Sequence, residues 1–205
     1  MAKKNRKNKA KFKWTKELII LLVLLVAMVT ATIVLSIPSS KTKTTTSFNE
    51  AITAYNTSNS TSYSTLSTEN VFVEVEHKKL LNKIEKEEYV YVVYGSLSDG
   101  TVLQYLSTIN SVATQEEIET VYFYSSAWVE ETEDTDTEAF KTKKQELEAD
   151  INKNVNRDVE ALDLLEYPAL LVFHNGELIF NSQTYSDNEQ YTWNMFIQKA
   201  FYISK

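Results

Sequence analysis

The sequence predicts an α/β sandwich, in which helices flank a central mixed sheet. Two observations lead to this fold class. Along residues 70–205, runs of β-branched and aromatic residues alternate with runs whose apolar residues recur at helical spacing. Strands separated by helices are typical of sheets with parallel pairs. In addition, Asn175-Gly176 separates two apolar runs, which is a strong hairpin signal and predicts an antiparallel edge.

The stretch at residues 89–113, YVYVVYGSLSDGTVLQYLSTINSVA, predicts a strand, a tight turn and a helix in succession. Its first six residues show little alternation, which is typical of a central strand covered on both faces. The turn places a short polar segment at the start of the following helix. Free N–H groups and the helix dipole favour negative charge there. The residues in this position are Ser98, Asp99, Gly100 and Thr101.

The other elements follow from the same patterns. Strands are predicted over residues 70–76, 119–126, 167–173 and 177–180, and helices over residues 77–88, 140–162 and 187–204. Poor helix propensity at residues 152–156 marks a candidate break in the second of these helices. The predicted order is therefore β-α-β-α-β-α-β-β-α.

The charge is divided unevenly along the chain. The first 17 residues carry eight Lys or Arg and one Glu, so the overall charge of −7 leaves −14 for residues 18–205. Nucleic-acid partners require a basic surface to neutralise phosphates. The acidic remainder therefore predicts that the protein does not bind nucleic acid.

Residues 18–37, LIILLVLLVAMVTATIVLSI, contain no charge and are long enough to cross a bilayer as a helix. The preceding basic tail, residues 1–17, predicts a cytoplasmic N-terminus and an extracytoplasmic remainder. A cleaved signal peptide is the alternative. We prefer a retained anchor because the apolar run exceeds the usual length of a signal peptide and has no clear cleavage site. This predicts a single-pass protein of the plasma membrane.

Residues 38–69 are rich in hydroxyl side chains, with 17 Ser or Thr in residues 38–68. Such a polar stretch buries too little apolar area to offset its ordering entropy. The sequence thus predicts a spacer, in which residues 48–55 could form a short helix. The folded domain is predicted to comprise residues 70–205.

Two segments carry a resemblance to a known fold. YPALLVFHNGEL (residues 167–178) resembles the cis-proline strand and hairpin of the thioredoxin-like fold. YVYVVYGSLSDGTV (residues 89–102) is similar to the strand and redox turn of membrane-anchored thioredoxin-like proteins of Gram-positive bacteria, including the bacteriocin transport accessory type. The resemblance implies a cis bond at Pro168, a peptide-docking edge at Tyr167, and a Cys-x-x-Cys motif at the positions of Asp99 and Val102. The alternative for Pro168 is that the proline is only part of how this fold turns.

This chain contains no cysteine. Disulfide exchange requires one thiolate to attack and a second thiol to resolve the mixed disulfide. The family's redox activity is therefore excluded, whereas its fold and its groove can remain.

The candidate residues of the groove are Ser98, Asp99, Gly100, Thr101, Tyr167 and Pro168. A helix cap is the preferred interpretation of Asp99, with acid–base chemistry as the alternative. His77 and His174 have no spacing typical of a metal site or a triad, and the acidic residues 130–138 lack the order of a calcium loop. We therefore predict no catalytic residue, no metal and no cofactor.

The sequence thus predicts a membrane-anchored, redox-inactive binding or accessory module of the cell envelope, serving secretion or transport. Its expected partners are the lipid bilayer, through residues 18–37, and another envelope or secreted protein. Two alternatives stay open. One is an enzyme of non-thiol chemistry that uses Asp99, and the other is a purely structural tether.

Overall fold

A computed structural model describes residues 20, 23–25, 40–132, 135–185 and 191–203. The chain divides into two compact units, Met1–Pro38 and Ser39–Lys205. Residues 20 and 23–25 are helical, and the rest of the predicted span at 18–37 lies outside the described residues, as does the basic tail. None of the helices in the described part of the chain combines the length and the apolar character needed to cross a membrane.

Five strands form one sheet in the order β1-β3-β2-β4-β5. They are β1 (Phe72–Glu74), β2 (Tyr89–Gly95), β3 (Val121–Ser125), β4 (Ala169–His174) and β5 (Glu177–Asn181). Strand β3 runs parallel to both β1 and β2, whereas β4 is antiparallel to both β2 and β5. The mixed sheet confirms the predicted fold class, and its order and directions fit a thioredoxin-like fold.

Helices cover both faces of the sheet. They are α1 (Ser40–Asn59), α2 (His77–Lys86), α3 (Gly100–Gln115), α4 (Ala127–Glu130), α5 (Glu138–Ile151) and α6 (Trp193–Tyr202), with a 3-10 turn at Ser182–Tyr185. Helices α1, α3 and α6 contribute Phe48, Leu106 and Phe201 to the apolar core on one face. Helices α2 and α5 contribute Leu80 and Ile151 to the core on the other. The sheet therefore separates two apolar layers, each closed by helices.

The predicted hairpin between β4 and β5 is confirmed. Asn175 and Gly176 both have positive φ, 48° and 82°. Two consecutive residues with positive φ form the turn whose twist matches that of the flanking strands, which is why Asn-Gly is favoured there. The Tyr167–Pro168 peptide bond is cis, as the resemblance implies.

The helix predicted over residues 140–162 is shorter than the apolar pattern suggests, because α5 ends at Ile151. The Asn152 side chain then accepts a hydrogen bond from Leu162 N at 2.8 Å and donates one to Leu162 O at 2.9 Å, so the chain folds back on itself. Val155 and Val159 still pack on the same core from irregular structure. The apolar spacing of residues 140–162 therefore predicted correctly which side chains pack on the core. Val155 and Val159 do so without being part of a helix.

The prediction of a spacer over residues 38–69 is wrong. Residues 40–59 form α1, the longest of the described helices, and Phe48 and Ile52 are fully buried in the core. Phe48 packs against Phe72 of β1 and Phe123 of β3, with ring centroids 5.5 and 4.9 Å apart. The compact unit consequently begins near residue 39, not at residue 70.

Two features explain how so polar a stretch folds. First, hydroxyls in α1 donate to the carbonyl four residues earlier, as Thr45 does to Lys41 O at 2.8 Å and Thr53 to Asn49 O at 2.7 Å. Second, two asparagine amides fasten the following segment to the helix. Asn49 pairs with both backbone groups of Leu66, and Asn56 with both of Tyr63, at 2.8–2.9 Å. The hydroxyl bonds satisfy these side chains within the helix without a net gain in stability. The ordering entropy is offset by the burial of Phe48 and Ile52 together with the asparagine bonds.

Candidate functional site

The turn before α3 lies directly against the cis-proline. A Cβ added to Gly95, the last residue of β2, would be 2.7 Å from Val102 Cγ2 and 3.3 Å from Pro168 Cβ. Gly95 therefore permits a close approach that a side chain would prevent. Tyr167 lies two residues outside the β2–β4 ladder, whose last pair is Tyr94 with Ala169. The two segments that carry the resemblance are thus brought together.

Asp99 is the N-cap of α3. Its Oδ1 accepts hydrogen bonds from the backbone N–H of Thr101 at 2.6 Å and of Val102 at 3.2 Å. Gly100 and Thr101 form the first turn of the helix. These bonds satisfy two of the donors that every helix leaves open at its start, so the carboxylate has a structural role of the kind that its position predicts.

We expect Asp99→Ala to lower the free energy of unfolding by about 0.5–2 kcal/mol, because the two capped N–H groups lose their acceptor. Chemical denaturation of the full-length chain in detergent micelles measures this loss. Asp99→Asn is the matched variant and should retain most of the stability, since its amide oxygen can accept the same bonds. Equal losses in the two variants would contradict the capping role.

A second carboxylate, Glu130 at the end of α4, holds the same turn. Ser96 Oγ donates to Glu130 Oε2 at 2.7 Å, and Ser98 Oγ lies 2.9–3.0 Å from both carboxylate oxygens. Burial and then the charge of the nearby Glu130 raise the pKa of the Tyr167 phenol. Two hydroxyls of the turn are therefore bound to one carboxylate, whose charge also acts on Tyr167.

Glu130 was not among the predicted site residues, because residues 130–138 were considered only as a calcium loop, whose order they lack. The hydroxyls of Ser96 and Ser98 gave a local signal, since two serines that flank one residue of a turn can share an acceptor. The acceptor itself is 32 residues away from Ser98 along the chain. Nothing in the local pattern identifies it.

The N-terminal helix reaches the site as well. A Cβ added to Gly100 would be 2.2 Å from the hydroxyl oxygen of Tyr55. The Tyr55 ring stacks on Tyr63, with centroids 5.7 Å apart. Gly100 thus allows α1 to close over the first turn of α3. The mistaken interpretation of residues 38–69 as a spacer also concealed this contact.

Asp99 and Val102, the positions that the resemblance matches to a Cys-x-x-Cys motif, have different surroundings. Asp99 is the partly exposed cap, whereas Val102 is 3% exposed and belongs to the apolar core. Neither position holds a thiol. The first turn of α3 is therefore a packed and capped helix start, without the chemistry of a redox turn.

Beside the cis-proline lies a cavity of about 450 Å³. We call it the aromatic groove and define it by Tyr167, Pro168, Tyr185, Tyr191, Trp193 and Phe196. The rings of Tyr185 and Tyr191 stack with centroids 4.9 Å apart, and Trp193 meets Phe196 edge-on at 6.0 Å. Tyr167 and Pro168 are therefore the predicted site residues that border it, whereas Ser98 to Thr101 lie at the adjoining turn.

Both histidines lie elsewhere. His77 Nδ1 is 3.1 Å from the Tyr124 hydroxyl, and His77 Nε2 is 3.2 Å from Asp150. His174 stacks on Tyr89 at the far end of β4. In the described part of the chain, no group of three or more acidic or histidine side chains could hold a metal ion.

Tyrosine ionisation tests the packing around this site. Burial raises the pKa of Tyr124 to about 12, and burial also raises the pKa of Tyr94, whose hydroxyl donates to Leu164 O at 2.7 Å. A phenol in the unfolded chain ionises near pH 10. The unfolded state thus releases its protons first, and stability falls as the pH rises from about 10. Absorbance at 295 nm should show a late step near pH 12 that Tyr124→Phe removes and that guanidinium shifts to about pH 10. A native titration without that step would contradict the burial of this ring.

Comparisons with known proteins add little to this geometry. No protein-family model and no curated protein matches the chain. Among solved structures, one similar chain is a protein with a thioredoxin fold to which oxidoreductase activity has been provisionally assigned. It is 18% identical, with a TM-score of 0.34, and the match covers 54% of this chain and 80% of the other. The order and directions of the five strands fit a thioredoxin-like fold independently of this match.

Proposed function

We propose that the protein is a membrane-anchored, extracytoplasmic binding module that uses a thioredoxin-like domain without redox chemistry. One observation carries the proposal. The turn before α3, the Tyr167–Pro168 bond and the aromatic groove lie together, although the chain has no cysteine to place among them. Without cysteine, this part of the domain offers a groove beside Tyr167, whose backbone lies outside the β2–β4 ladder. Such a surface suits an extended segment of a partner protein.

The membrane anchor is part of this proposal. Its support is the sequence of residues 18–37, uncharged over 20 positions, and the basic residues that precede it. A domain held in this way faces the cell envelope and meets envelope or secreted proteins. An accessory role in secretion or transport is the process that this placement favours.

The geometry bears on the two alternatives. Asp99 Oδ1 is bound to two backbone N–H groups, which favours a cap over acid–base chemistry. Asp99→Asn discriminates between them, because it preserves the cap but removes the ionisable group. The binding module retains its function in that variant, whereas an enzyme that uses Asp99 loses it. A purely structural tether instead predicts that an unrelated domain can replace residues 40–205 without any change in phenotype.

Co-purification of the full-length protein from the cells that make it tests the binding role. We expect the wild-type protein to retain a partner that Tyr167→Ala loses, since that substitution removes a wall of the groove. Tyr202→Ala is the matched control, because Tyr202 is 52% exposed at the end of α6. A partner retained equally by all three proteins, or repeated absence of any partner, would refute the binding role.

A further inference from the structure

We infer that the aromatic groove takes a lysine or arginine side chain from an extended segment of the partner. This inference rests on the proposed binding function and adds the chemistry of what is bound. The rings of the groove are grouped together, a lysine of the protein already lies on them, and acidic groups lie nearby.

The rings of the groove form a stacked cluster. The centroids of Tyr185, Tyr191 and Phe196 lie at the corners of a triangle with sides of 4.9, 6.1 and 6.2 Å. Tyr185, Tyr191 and Trp193 are each only partly buried. Because the face of an aromatic ring carries negative potential, partly exposed rings grouped in this way attract cations.

The protein's own Lys199 demonstrates this property. Its ammonium nitrogen lies 3.9 Å from the centroid of Tyr185 and 5.9 Å from that of Tyr191, and it also donates a hydrogen bond to the Tyr185 hydroxyl. Both distances are within the range of a cation–π interaction. One side of the ring cluster therefore already binds an ammonium group, and a second cation would meet aromatic rings of the same kind.

Acidic groups border the groove on the Tyr167 side. Glu166 lines the groove, is exposed and immediately precedes Tyr167, and the charge of Glu130 acts on the Tyr167 phenol. Residues 18–205 carry a charge of −14, as the sequence shows. A basic segment is thus attracted at long range and stabilised at short range, whereas an acidic segment is repelled. The same charges discriminate basic segments from acidic ones, which aromatic rings alone would not do.

Three nonapeptides test the inference. They share one extended sequence and differ at two positions, which hold lysine, norleucine or glutamate. Fluorescence anisotropy measures their binding to the full-length protein in detergent micelles. We expect the lysine peptide to bind at least about fivefold more tightly than the norleucine peptide, as cation–π contacts and the carboxylates predict. We expect the glutamate peptide not to bind measurably.

Variants at the aromatic groove and away from it test whether the preference for the lysine peptide arises in the groove. Glu166→Gln and Trp193→Leu should each reduce the preference for lysine over norleucine, and Glu166→Gln is not expected to disturb the fold. Lys199→Gln should tighten binding of the lysine peptide, because it frees a ring face and removes a like charge. The controls are Glu119→Gln and Lys86→Gln, two exposed residues remote from the groove that leave the preference unchanged.

The possible outcomes separate this inference from the proposed function. Equal affinity for the lysine and norleucine peptides overturns the inference but leaves a groove that binds polypeptide. Tighter binding of the glutamate peptide also overturns it. If no peptide binds while Tyr167→Ala still loses a co-purified partner, the inference fails and the proposed function stands. If that partner is absent as well, both fail.

Discussion

Phe48→Ala is expected to destabilise the folded unit by about 3–5 kcal/mol, the loss typical of a large aromatic side chain removed from a core. Phe48 is fully buried in α1 and contacts the rings of Phe72 and Phe123. The substitution would leave a cavity between α1 and the sheet. A neighbouring helix could fill this cavity only by shifting from its own position. Such a loss is a large fraction of the 5–15 kcal/mol that stabilises an ordinary domain.

Chemical denaturation of the full-length protein in micelles, followed by tryptophan fluorescence, measures this effect. Thr53→Ala is the control on the same helix, because Thr53 is exposed. It should change stability by about 0.5 kcal/mol or less. If Phe48→Ala behaved like Thr53→Ala, residues 40–59 would be a spacer after all, and the first turn of α3 would not be covered by Tyr55.

Gly95→Ala is expected to cost about 1–3 kcal/mol, because it overpacks the contact between the turn and the cis-proline. The new methyl group would lie 2.7 Å from Val102 Cγ2 and 3.3 Å from Pro168 Cβ. Val102 is buried and β-branched, so it cannot rotate away freely. The turn must therefore move from Pro168, and partner binding should weaken together with stability.

The double variant Gly95→Ala/Val102→Ala makes this prediction specific. Removing the Val102 methyl groups provides space for the new Cβ, although it also loses their buried area. The double variant should consequently be more stable than the sum of the two single changes predicts, by the non-additivity expected of residues in contact. Strict additivity of the free energies of unfolding would show that the two groups do not meet.

The elements that local chemistry determines could be predicted from the sequence. The Asn175-Gly176 turn has few alternatives, and the residues of β2 suit a strand covered on both faces. Asp99 lies before a helix whose first N–H groups need an acceptor, so its capping role follows from its position. In each of these cases, the residues next to one another in the sequence determine the local structure.

The features that depend on distant residues could not be predicted in this way. The short helix predicted over residues 48–55 lies within α1, but the hydroxyl-rich composition concealed the helix's full length and its place in the core, where Phe48 and Ile52 are buried. The Glu130 carboxylate and the cover of Gly100 by Tyr55 are contacts between elements far apart in the chain. The composition of a segment indicates how much apolar surface the segment could bury against itself. It does not indicate how much the segment buries against a sheet, as Phe48 does against β1 and β3.

Site-specific photo-crosslinking from position 167 tests most directly whether the edge beside the cis-proline binds a partner. A photoreactive phenylalanine derivative would replace Tyr167 in the full-length protein, and the same derivative at the exposed Lys86 of α2 would be the control. We predict a discrete adduct with a second envelope or secreted protein from position 167 and not from position 86. A folded protein that gives no adduct at 167, or gives the same adduct from both positions, would contradict the account.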